Sequence, residues 1–370
     1  MNAVSPMPAL PMKVRLAASS PSGKRLPAFR GALRRWYDRN RRELPWRNTR
    51  DPYRIWVSEI MLQQTRVAAV LDHYRIFLKR YPDVKMLAAA IEDEVLAAWS
   101  GLGYYRRARM LHQCAREVVH QHGGRFPRTS QDLRQLPGIG RYTAAAIASI
   151  AFAEPIAVVD GNVERVLQRL IGANLNTTQI WPYAQSLLDS CHPGDFNQAM
   201  MELGATICVP RAPRCLACPV RRWCAAQGDV PRAEPVPRQQ KKEIWCVLDR
   251  RSRGRRNHDR AKEGDGGRPQ KVRLVRRPKS SSLMPGMWEL PQSVHPPRAG
   301  YSAAHWRTFR HSITVTDYTV HVLGLGPVIA NKALPGGTAA AKGQWIATDR
   351  IPLLPITGLT RKILKAGGII

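Results

Sequence analysis

The apolar positions of the first two thirds of the chain follow a helical repeat. Asp51 and Pro52 are typical of a helix start, because Asp caps a helix and Pro fits its first position. Apolar residues recur there every three or four positions. The same spacing extends over 94–99, 104–121, 130–135, 141–153, 162–172, 181–190 and 195–207. The span 29–225 is therefore predicted to be nearly all α-helical.

The pattern changes in the last third of the chain, where the apolar runs become short. The runs are 244–248, 272–275, 313–322 and 328–330, and the third is rich in β-branched residues, which favours strands. Proline and charge predict a linker over 226–242. Nine Lys/Arg against three acids predict a mobile insertion over 250–271. An α+β domain is expected over 243–370.

The chain is strongly basic. Its 370 residues include 58 Lys+Arg and 27 Asp+Glu, which gives a net charge of +31. Such a charge attracts polyanions, and nucleic acid is favoured over a membrane because no basic amphipathic anchor is visible. Residues 1–28 contain five prolines, four Lys/Arg and no acid, so they are predicted to be a disordered basic tail.

Residues 136–143 read Leu-Pro-Gly-Ile-Gly-Arg-Tyr-Thr and precede a helix. Gly138 and Gly140 allow a tight turn whose N–H groups converge beside the positive end of that helix. This arrangement suits one phosphate of a DNA strand without regard to base sequence. An ordinary corner between two helices is the alternative.

Two carboxylates are candidates for acid–base chemistry. Glu59 lies in the middle of a helix among apolar residues, and an apolar environment raises a carboxyl pKa. Asp160 ends an apolar stretch and opens a helix. From the residues alone, a solvated glutamate and a helix cap are the simpler interpretations.

Four of the seven cysteines are clustered, separated by six, two and five residues: Cys208, Cys215, Cys218 and Cys224. Four thiolates at this spacing can enclose one metal centre. A zinc ribbon normally has two Cys-x-x-Cys pairs and only one is present, so the residues alone leave an iron–sulfur cluster, a zinc site and a group of free thiols as alternatives. The odd number of cysteines indicates a reducing, intracellular compartment, with the other three as buried thiols.

Several segments together resemble the MutY family of adenine DNA glycosylases, within the helix-hairpin-helix base-excision superfamily. They are 44–47, 58–65, 101–105, 136–143, 159–163 and 197–204. The resemblance implies an all-α helix-hairpin-helix glycosylase core. A six-helix region over 52–155 would carry the hairpin. The parts 29–51 and 156–225 would form a subdomain whose four cysteines hold one [4Fe-4S] cluster.

The resemblance also implies roles in catalysis. Glu59 would protonate N7 of the departing adenine, and Asp160 would stabilise the cationic sugar, with Asn162 hydrogen-bonded nearby. Tyr142 stands where endonuclease III-like enzymes have a lysine that forms an imine, and tyrosine cannot do so. The expected activity is therefore base removal without efficient strand cleavage.

Further residues are assigned by the resemblance to substrate binding. The adenine pocket would be lined by Trp46, Arg47, Gln198 and Glu202, although the last two look like helix-surface residues from the sequence alone. Gln64 and Tyr104 would enter the base stack when the target nucleotide is flipped out.

The C-terminal residues 283–291 resemble the Gly-x-Trp-Glu-x-Pro stretch of Nudix-like domains. The metal-binding acidic helix of Nudix hydrolases is absent, so the family role of reading the partner base is expected instead. Thr314 offers a hydroxyl there, but Val315 replaces the family histidine. The expected partner is duplex DNA with an A·8-oxoguanine or A·G mispair, bound by a monomer.

Two other functions stay in view. An endonuclease III-like glycosylase and lyase is opposed by Tyr142 and by the second domain. A non-catalytic DNA-damage binding protein is opposed by the presence of both Glu59 and Asp160.

The charge generates a prediction. We expect affinity for duplex DNA to fall steeply as the salt concentration rises, because each phosphate contact of a basic protein releases counterions. Fluorescence anisotropy of a labelled duplex at stepped salt concentrations measures the slope. A response that is flat with salt would contradict the phosphate-contact argument.

Overall fold

The computed structural model describes residues 21–228, 240–251, 271–296, 304–313, 315–325 and 343–370. Within these ranges the chain forms two compact units. The first contains residues up to Tyr74, the segment Tyr81–Ala88, and the chain from Gln113 to 228. The second contains Arg75–Arg80, Ala89–His112 and the described residues from 240 onward.

The chain before residue 229 is helical, as predicted. Its α-helices are α1 (Leu26–Asn40), α2 (Pro52–Leu62), α3 (Val67–Arg80), α4 (Val84–Ala89), α5 (Glu92–Ala98), α6 (Arg106–His122), α7 (Ser130–Leu133), α8 (Arg141–Phe152), α9 (Gly161–Ile171), α10 (Thr177–Leu187) and α11 (Pro193–Thr206). None of the helices in the described ranges is long and apolar enough to cross a membrane.

Helix α1 begins before the predicted boundary at residue 28. Pro27 fits the first turn of the helix, which starts at Leu26. The side chains of Phe29, Leu33 and Tyr37 are fully buried, and this burial orders the end of the predicted tail. Residues 1–20 of that tail lie outside the described residues.

Two other helix boundaries differ from the prediction. Residues 52–155 contain seven helices rather than six, because α4 was not predicted. Helix α10 begins at Thr177 instead of residue 181, since Asn176 and Gln179 form a capping box. The helix continues through Pro182.

One core joins helices that are distant in sequence within the first unit. Helix α1 contributes Phe29 and Leu33, α9 contributes Leu167 and Leu170, and α11 contributes Leu203. The two halves of the predicted cysteine-containing subdomain thus share a hydrophobic core. This packing brings the segment after α1 against α11, where the cavity described below is formed.

The second unit is built on a mixed sheet. Its strands are β1 (Gln240–Arg251), β2 (Lys271–Arg276), β3 (Trp288–Glu289), β4 (Gln292–Ser293), β5 (Ala304–Ile313), β6 (Thr316–Leu325) and β7 (Gln344–Ala347). The order is β3-β2-β1-β6-β5, with β4 on β1 and β7 on β2. Strands β1 and β6 are parallel, and β5 and β6 are antiparallel.

A helix packs against this sheet. Helix α12 (Gly358–Ala366) starts at Thr357, whose side chain accepts from the N–H of Thr360. Its Ile363 and Leu364 pack with apolar side chains of β1 and β6, including Cys246 and Val322. The predicted α+β character of the C-terminal region is therefore confirmed.

The strand predicted over 313–322 corresponds to β6, which begins at Thr316. Strand β5 was not predicted and overlaps the predicted range only at Ile313, which pairs with Thr316 in antiparallel register. Thr314 and the predicted strand at 328–330 lie outside the described residues.

The ends of the predicted linker and insertion are also ordered as strands. Strand β1 already begins at Gln240, so it includes the last three residues of the predicted linker. Arg251 pairs with Lys271, and Arg250 pairs with Val272, so cross-strand hydrogen bonding holds both ends of the insertion. Residues 229–239 and 252–270 lie outside the described residues.

The second unit includes Arg75–Arg80 and Ala89–His112, which were predicted to belong to the helical core. Polar contacts join this helical part to the C-terminal residues of the same unit. Ser100 Oγ and Tyr105 OH both donate to the carbonyl oxygen of Ile356, at 3.0 and 3.1 Å. Arg276 donates to both carboxylate oxygens of Asp93, at 2.9 and 2.7 Å.

Candidate active site

A cavity of about 570 Å³ opens in the first unit. This volume lies in the range of sites for small molecules. Helices α2, α8, α9 and α11 contribute to its wall, together with the segment 42–47. Six residues predicted from the sequence or the resemblance to act on a base line it: Trp46, Arg47, Glu59, Tyr142, Asp160 and Asn162. Gln64, Gln198 and Glu202 line it as well.

Glu59 is held in the cavity wall by helix α2. Asp51 starts this helix by accepting a hydrogen bond from the N–H of Tyr53 at 2.9 Å. Glu59 lies eight residues after Asp51 on this helix. It is buried, with 6% of its surface exposed. Tyr142 OH donates to Glu59 Oε2 at 2.6 Å.

The pKa of Glu59 is raised to about 7. Burial is the largest cause, because it disfavours the charged carboxylate. The hydrogen bond from Tyr142 lowers this pKa, the negative charge of Asp160 raises it, and the positive charge of Arg47 lowers it. The carboxyl group can therefore hold or release a proton near neutral pH.

Asp160 caps helix α9 and also faces the cavity. Its Oδ1 accepts from the N–H of Val163 at 2.7 Å, and its Oδ2 accepts from Asn162 Nδ2 at 3.0 Å. These two donors fix the orientation of the carboxylate. Asp160 is therefore a helix cap, as the simpler interpretation has it, and its carboxylate still faces the cavity.

Tyr142 is the second residue of helix α8. Burial raises its pKa well above 10, and the neighbouring charges of Glu59 and Asp160 add to the effect. The phenol therefore stays neutral and acts as a hydrogen-bond donor to Glu59. Met201 Sδ lies 3.6 Å from the same hydroxyl oxygen.

A network of charged and polar groups forms another part of the wall. Arg42 donates to both carboxylate oxygens of Glu202, at 2.8 and 2.7 Å, and Arg47 donates to Oε2 at 2.6 Å. The guanidinium of Arg47 also lies 5.5 Å from the ring centroid of Tyr37. Tyr37 OH donates to Gln198 Oε1 at 3.2 Å.

Gln198 and Glu202 are buried, so their interpretation as helix-surface residues was wrong. Burial tends to raise the pKa of Glu202, but the hydrogen bonds and charges of Arg42 and Arg47 lower it to about 2. The ion pairs are formed by residues 155 and 160 positions away. Arg42 had no distinguishing signal within its basic stretch of sequence and was missed.

Arg165 was also missed, although it contacts two important segments. Its guanidinium donates to Asn162 Oδ1 at 2.9 Å, to the carbonyl of Cys208 at 2.8 Å and to that of Gly204 at 2.7 Å. A continuous chain of hydrogen bonds thus runs from Asp160 through Asn162 and Arg165 to the cysteine segment.

The four clustered cysteines line one small cavity: Cys208, Cys215, Cys218 and Cys224. The buried Arg169 donates to Cys208 Sγ at 3.2 Å and to the carbonyls of residues 209 and 210 at 2.9 Å each. Among the described residues, no three His, Cys, Asp or Glu side chains are grouped as a site for a single metal ion. Cys114 and Cys246 are buried as expected, but Cys191 is exposed.

The glycine-containing turn precedes α8 in the predicted position. Gly138 has a φ of +75°, which favours glycine, and Gly140 is the N-cap residue of α8. A side chain at Gly140 would meet open space, so this turn is accessible from outside. Arg141 lies beside it, with its guanidinium 3.9 Å from the ring centroid of Trp181.

The two residues assigned to the base stack share an uncommon backbone conformation. Gln64 in the first unit has a φ of 56°, and Tyr104 in the second has a φ of 46°. Non-glycine residues rarely adopt positive φ, and such strain is concentrated at functional sites. Both side chains are exposed. Thr314, the remaining assigned residue, is outside the described residues.

Comparisons with known proteins agree with this geometry. Residues 57–182 match the HhH-GPD superfamily of base excision DNA repair proteins. The human adenine DNA glycosylase is 51% identical over 218 residues, covering 55% of this chain and 40% of the relative. The Schizosaccharomyces pombe adenine DNA glycosylase is 33% identical over 316 residues, covering 71% of this chain and 68% of the relative. A solved structure of a thermostable thymine-DNA glycosylase is 34% identical, with a TM-score of 0.52, and covers 55% of this chain and 96% of that one.

The helical fold, the hairpin and the carboxyl-containing cavity define the helix-hairpin-helix class of base excision repair proteins. The fission-yeast relative, matched over more than two thirds of its length, gives the particular family. The chain belongs to the adenine DNA glycosylase family. It spans less than half the length of the mammalian relatives that it matches.

The buried carboxyl group generates a stability prediction. The pKa of Glu59 rises from 4.5 in the unfolded chain to about 7 in the fold, so the folded protein loses stability as pH increases from about 4.5 to 7. The loss corresponds to about 3 kcal/mol, at about 1.4 kcal/mol for each tenfold change in proton affinity. Glu59→Gln should remove it, and urea unfolding at pH 5 and pH 8 measures the difference.

The matched control for this prediction is Glu202→Gln. The carboxylate of Glu202 is stabilised by two arginines, so its loss should destabilise the protein at both pH values. A Glu59→Gln variant with the same change in unfolding free energy at pH 5 and pH 8 would refute the assigned burial cost.

Proposed function

We propose that this chain is a monofunctional DNA glycosylase that hydrolyses the N-glycosidic bond of adenine mispaired with 8-oxoguanine or guanine. One observation carries the proposal. A buried carboxyl group with a pKa of about 7, Glu59, lies in the same cavity as a second carboxylate, Asp160, and is electrostatically coupled to it. The curated relatives named adenine DNA glycosylase support the choice of base.

The two carboxyl groups have different tasks in the proposed reaction. Protonated Glu59 gives its proton to N7 of adenine while the bond from C1′ to N9 breaks, so the base leaves neutral. The sugar becomes cationic, and Asp160 stabilises that charge. Ionised Glu59 then takes a proton from a water molecule whose oxygen bonds to C1′.

The cavity wall supplies groups for binding the base. Trp46 offers an aromatic surface, and Arg47 and Gln198 offer hydrogen-bonding groups. The carboxylate of Glu202 already accepts four hydrogen bonds, from Arg42 N, Nε and Nη2 and from Arg47 Nη2. Four bonds fill the usual capacity of a carboxylate, so in this conformation Glu202 mainly orients the arginines.

The absence of an imine-forming amine favours base removal over strand cleavage. None of the described residues lining the cavity is a lysine. Tyr142 occupies the position of the lysine in endonuclease III-like enzymes, and its neutral hydroxyl is engaged with Glu59. The proposed enzyme therefore leaves an abasic site with an intact strand.

Other features of the two units suit DNA. In the first unit, the turn at Gly138 and Gly140 and the N-terminus of α8 would hold one backbone phosphate. Gln64 and Tyr104 would enter the stack as the adenine is extruded. The second unit would read the partner base as a Nudix-like domain, with Thr314 offering a hydroxyl.

The cysteine segment suits a [4Fe-4S] cluster. Its four thiols share one cavity, and Arg169 donates to a sulfur atom there, as groups that stabilise cluster sulfurs do. Cys208, Cys215, Cys218 and Cys224 would be the ligands, and the cluster would fix the shape of this basic segment. Equimolar iron and acid-labile sulfide near four per chain supports the cluster, whereas zinc without sulfide would reject it.

The activity is tested with a duplex that contains one A·8-oxoguanine pair. The strand should break only after treatment with alkali, because alkali cleaves abasic sites. Breakage without alkali would indicate a lyase, and no breakage in either case would indicate a binding protein. Glu59→Gln should bind the duplex but lose at least about 10²-fold in single-turnover rate, the scale of general acid catalysis.

The pH dependence provides a further prediction. Since Glu59 must be protonated to act as an acid, excision should decline as pH rises through about 7. Tyr142→Phe removes a hydrogen bond that lowers the pKa of Glu59, so the declining limb should move to higher pH. Single-turnover rates from pH 5 to 9 measure the shift. A limb that stays in place or moves to lower pH would contradict the role of Tyr142.

A further inference from the structure

The exposed ring of Tyr104 is presented by an unusual loop in the second unit. Gly101, Gly103 and Tyr104 have φ values of 112°, 66° and 46°. Tyr104 is 48% exposed although its aromatic ring is large. Nothing in the local sequence favours positive φ at a tyrosine, so contacts from outside the loop must hold it in place.

Arg107, in the first turn of α6, supplies those contacts. Its guanidinium carbon lies 5.5 Å from the ring centroid of Tyr104 and 5.5 Å from that of Trp99. Its Nη2 donates to the carbonyls of Leu102 and Gly103, at 3.1 and 3.4 Å. One planar cation thus touches the exposed ring, a buried ring and the backbone between them.

The buried side of this arrangement is held by packing and hydrogen bonds. Trp99 is fully buried, packs edge-on against Phe77 with ring centroids 5.9 Å apart, and donates from Nε1 to the carbonyl of Gly103 at 3.3 Å. The N–H of Arg107 donates to the carbonyl of Tyr104 at 2.8 Å. Burial lowers the pKa of Arg107 to about 10, which leaves the side chain charged at neutral pH.

We infer that Arg107 is a positioning residue: its guanidinium links the buried Trp99 ring to the exposed Tyr104 ring and holds Tyr104 ready to enter the DNA base stack. The inference rests on the proposed function. Arginine suits this task because a flat, delocalised cation can lie against aromatic rings while its N–H groups reach carbonyl oxygens. Half burial and these carbonyl contacts favour this role over a direct contact with DNA phosphate.

The test is a double-mutant cycle with Arg107→Ala, Tyr104→Ala and the combined variant. Each is measured in two ways with the A·8-oxoguanine duplex. Single-turnover excision reports the rate. In a Glu59→Gln background, the fluorescence of a 2-aminopurine beside the target adenine reports unstacking without turnover.

Both single variants should lose excision rate by about tenfold, the scale of one strong aromatic–cation contact, and should lose most of the fluorescence change. The combined variant should be within about twofold of Tyr104→Ala, because Arg107 acts only through Tyr104. A combined loss equal to the product of the single losses would overturn the inference. An Arg107→Ala fluorescence change equal to that of the unchanged protein would do the same.

Two further variants separate positioning from charge and from folding. Arg106→Ala removes the same charge from the exposed neighbouring residue, and it should alter the salt dependence of binding but leave the fluorescence change intact. Arg107→Lys keeps a cation but loses the planar fork, and it should recover part of the fluorescence change even if Arg107→Ala unfolds. A Lys variant that folds yet shows no recovery would count against the aromatic–cation contact.

Failure of the proposed function would look different. If the unchanged protein releases no adenine, the glycosylase assignment fails whatever the fluorescence of the Glu59→Gln series. If the protein releases adenine and Tyr104→Ala has a normal fluorescence change, the entry of Tyr104 into the stack is refuted, and the inference about Arg107 with it.

Discussion

The interaction on which the site depends is the 2.6 Å hydrogen bond between Tyr142 and Glu59 inside a buried cavity. Burial alone would make Glu59 a poor donor of protons at neutral pH, because its pKa would rise further. The phenol lowers that pKa and Asp160 raises it, and the balance is a pKa of about 7. The same burial lowers the stability of the fold once the carboxyl group ionises. The raised pKa that makes Glu59 a proton donor therefore costs folding free energy.

A second glutamate in the same cavity shows how strongly the surroundings of a carboxyl group determine its pKa. Glu202 is even more deeply buried than Glu59, yet its pKa is about 2 because Arg42 and Arg47 donate to it. At neutral pH, Glu202 is therefore ionised whereas a large share of Glu59 is protonated, so only Glu59 can act as an acid. Separation of carboxyl groups by environment is the usual way in which one site assigns acid and anionic roles.

Each unit contains an arginine that supports a functional group. The cysteine segment is connected to Asp160 by the hydrogen bonds of Arg165 and Asn162, so its shape bears on the orientation of the anion. In the second unit, Tyr104 is held in a strained conformation against Arg107. Both supports use arginine, whose several donors can join a side chain to backbone carbonyls at one point.

The sequence by itself determined the helical core, the cap at Asp160 and the turn at Gly138, because caps, glycines and helical spacing are local signals. It did not predict β5 over Ala304–Ile313, because the polar and basic residues of that strand give no apolar run. Only the tertiary structure decided that Glu202 is buried and ionised and that Glu59 is buried and close to neutral. Protonation depends on desolvation and on partners brought from distant parts of the chain, and no local pattern encodes either quantity.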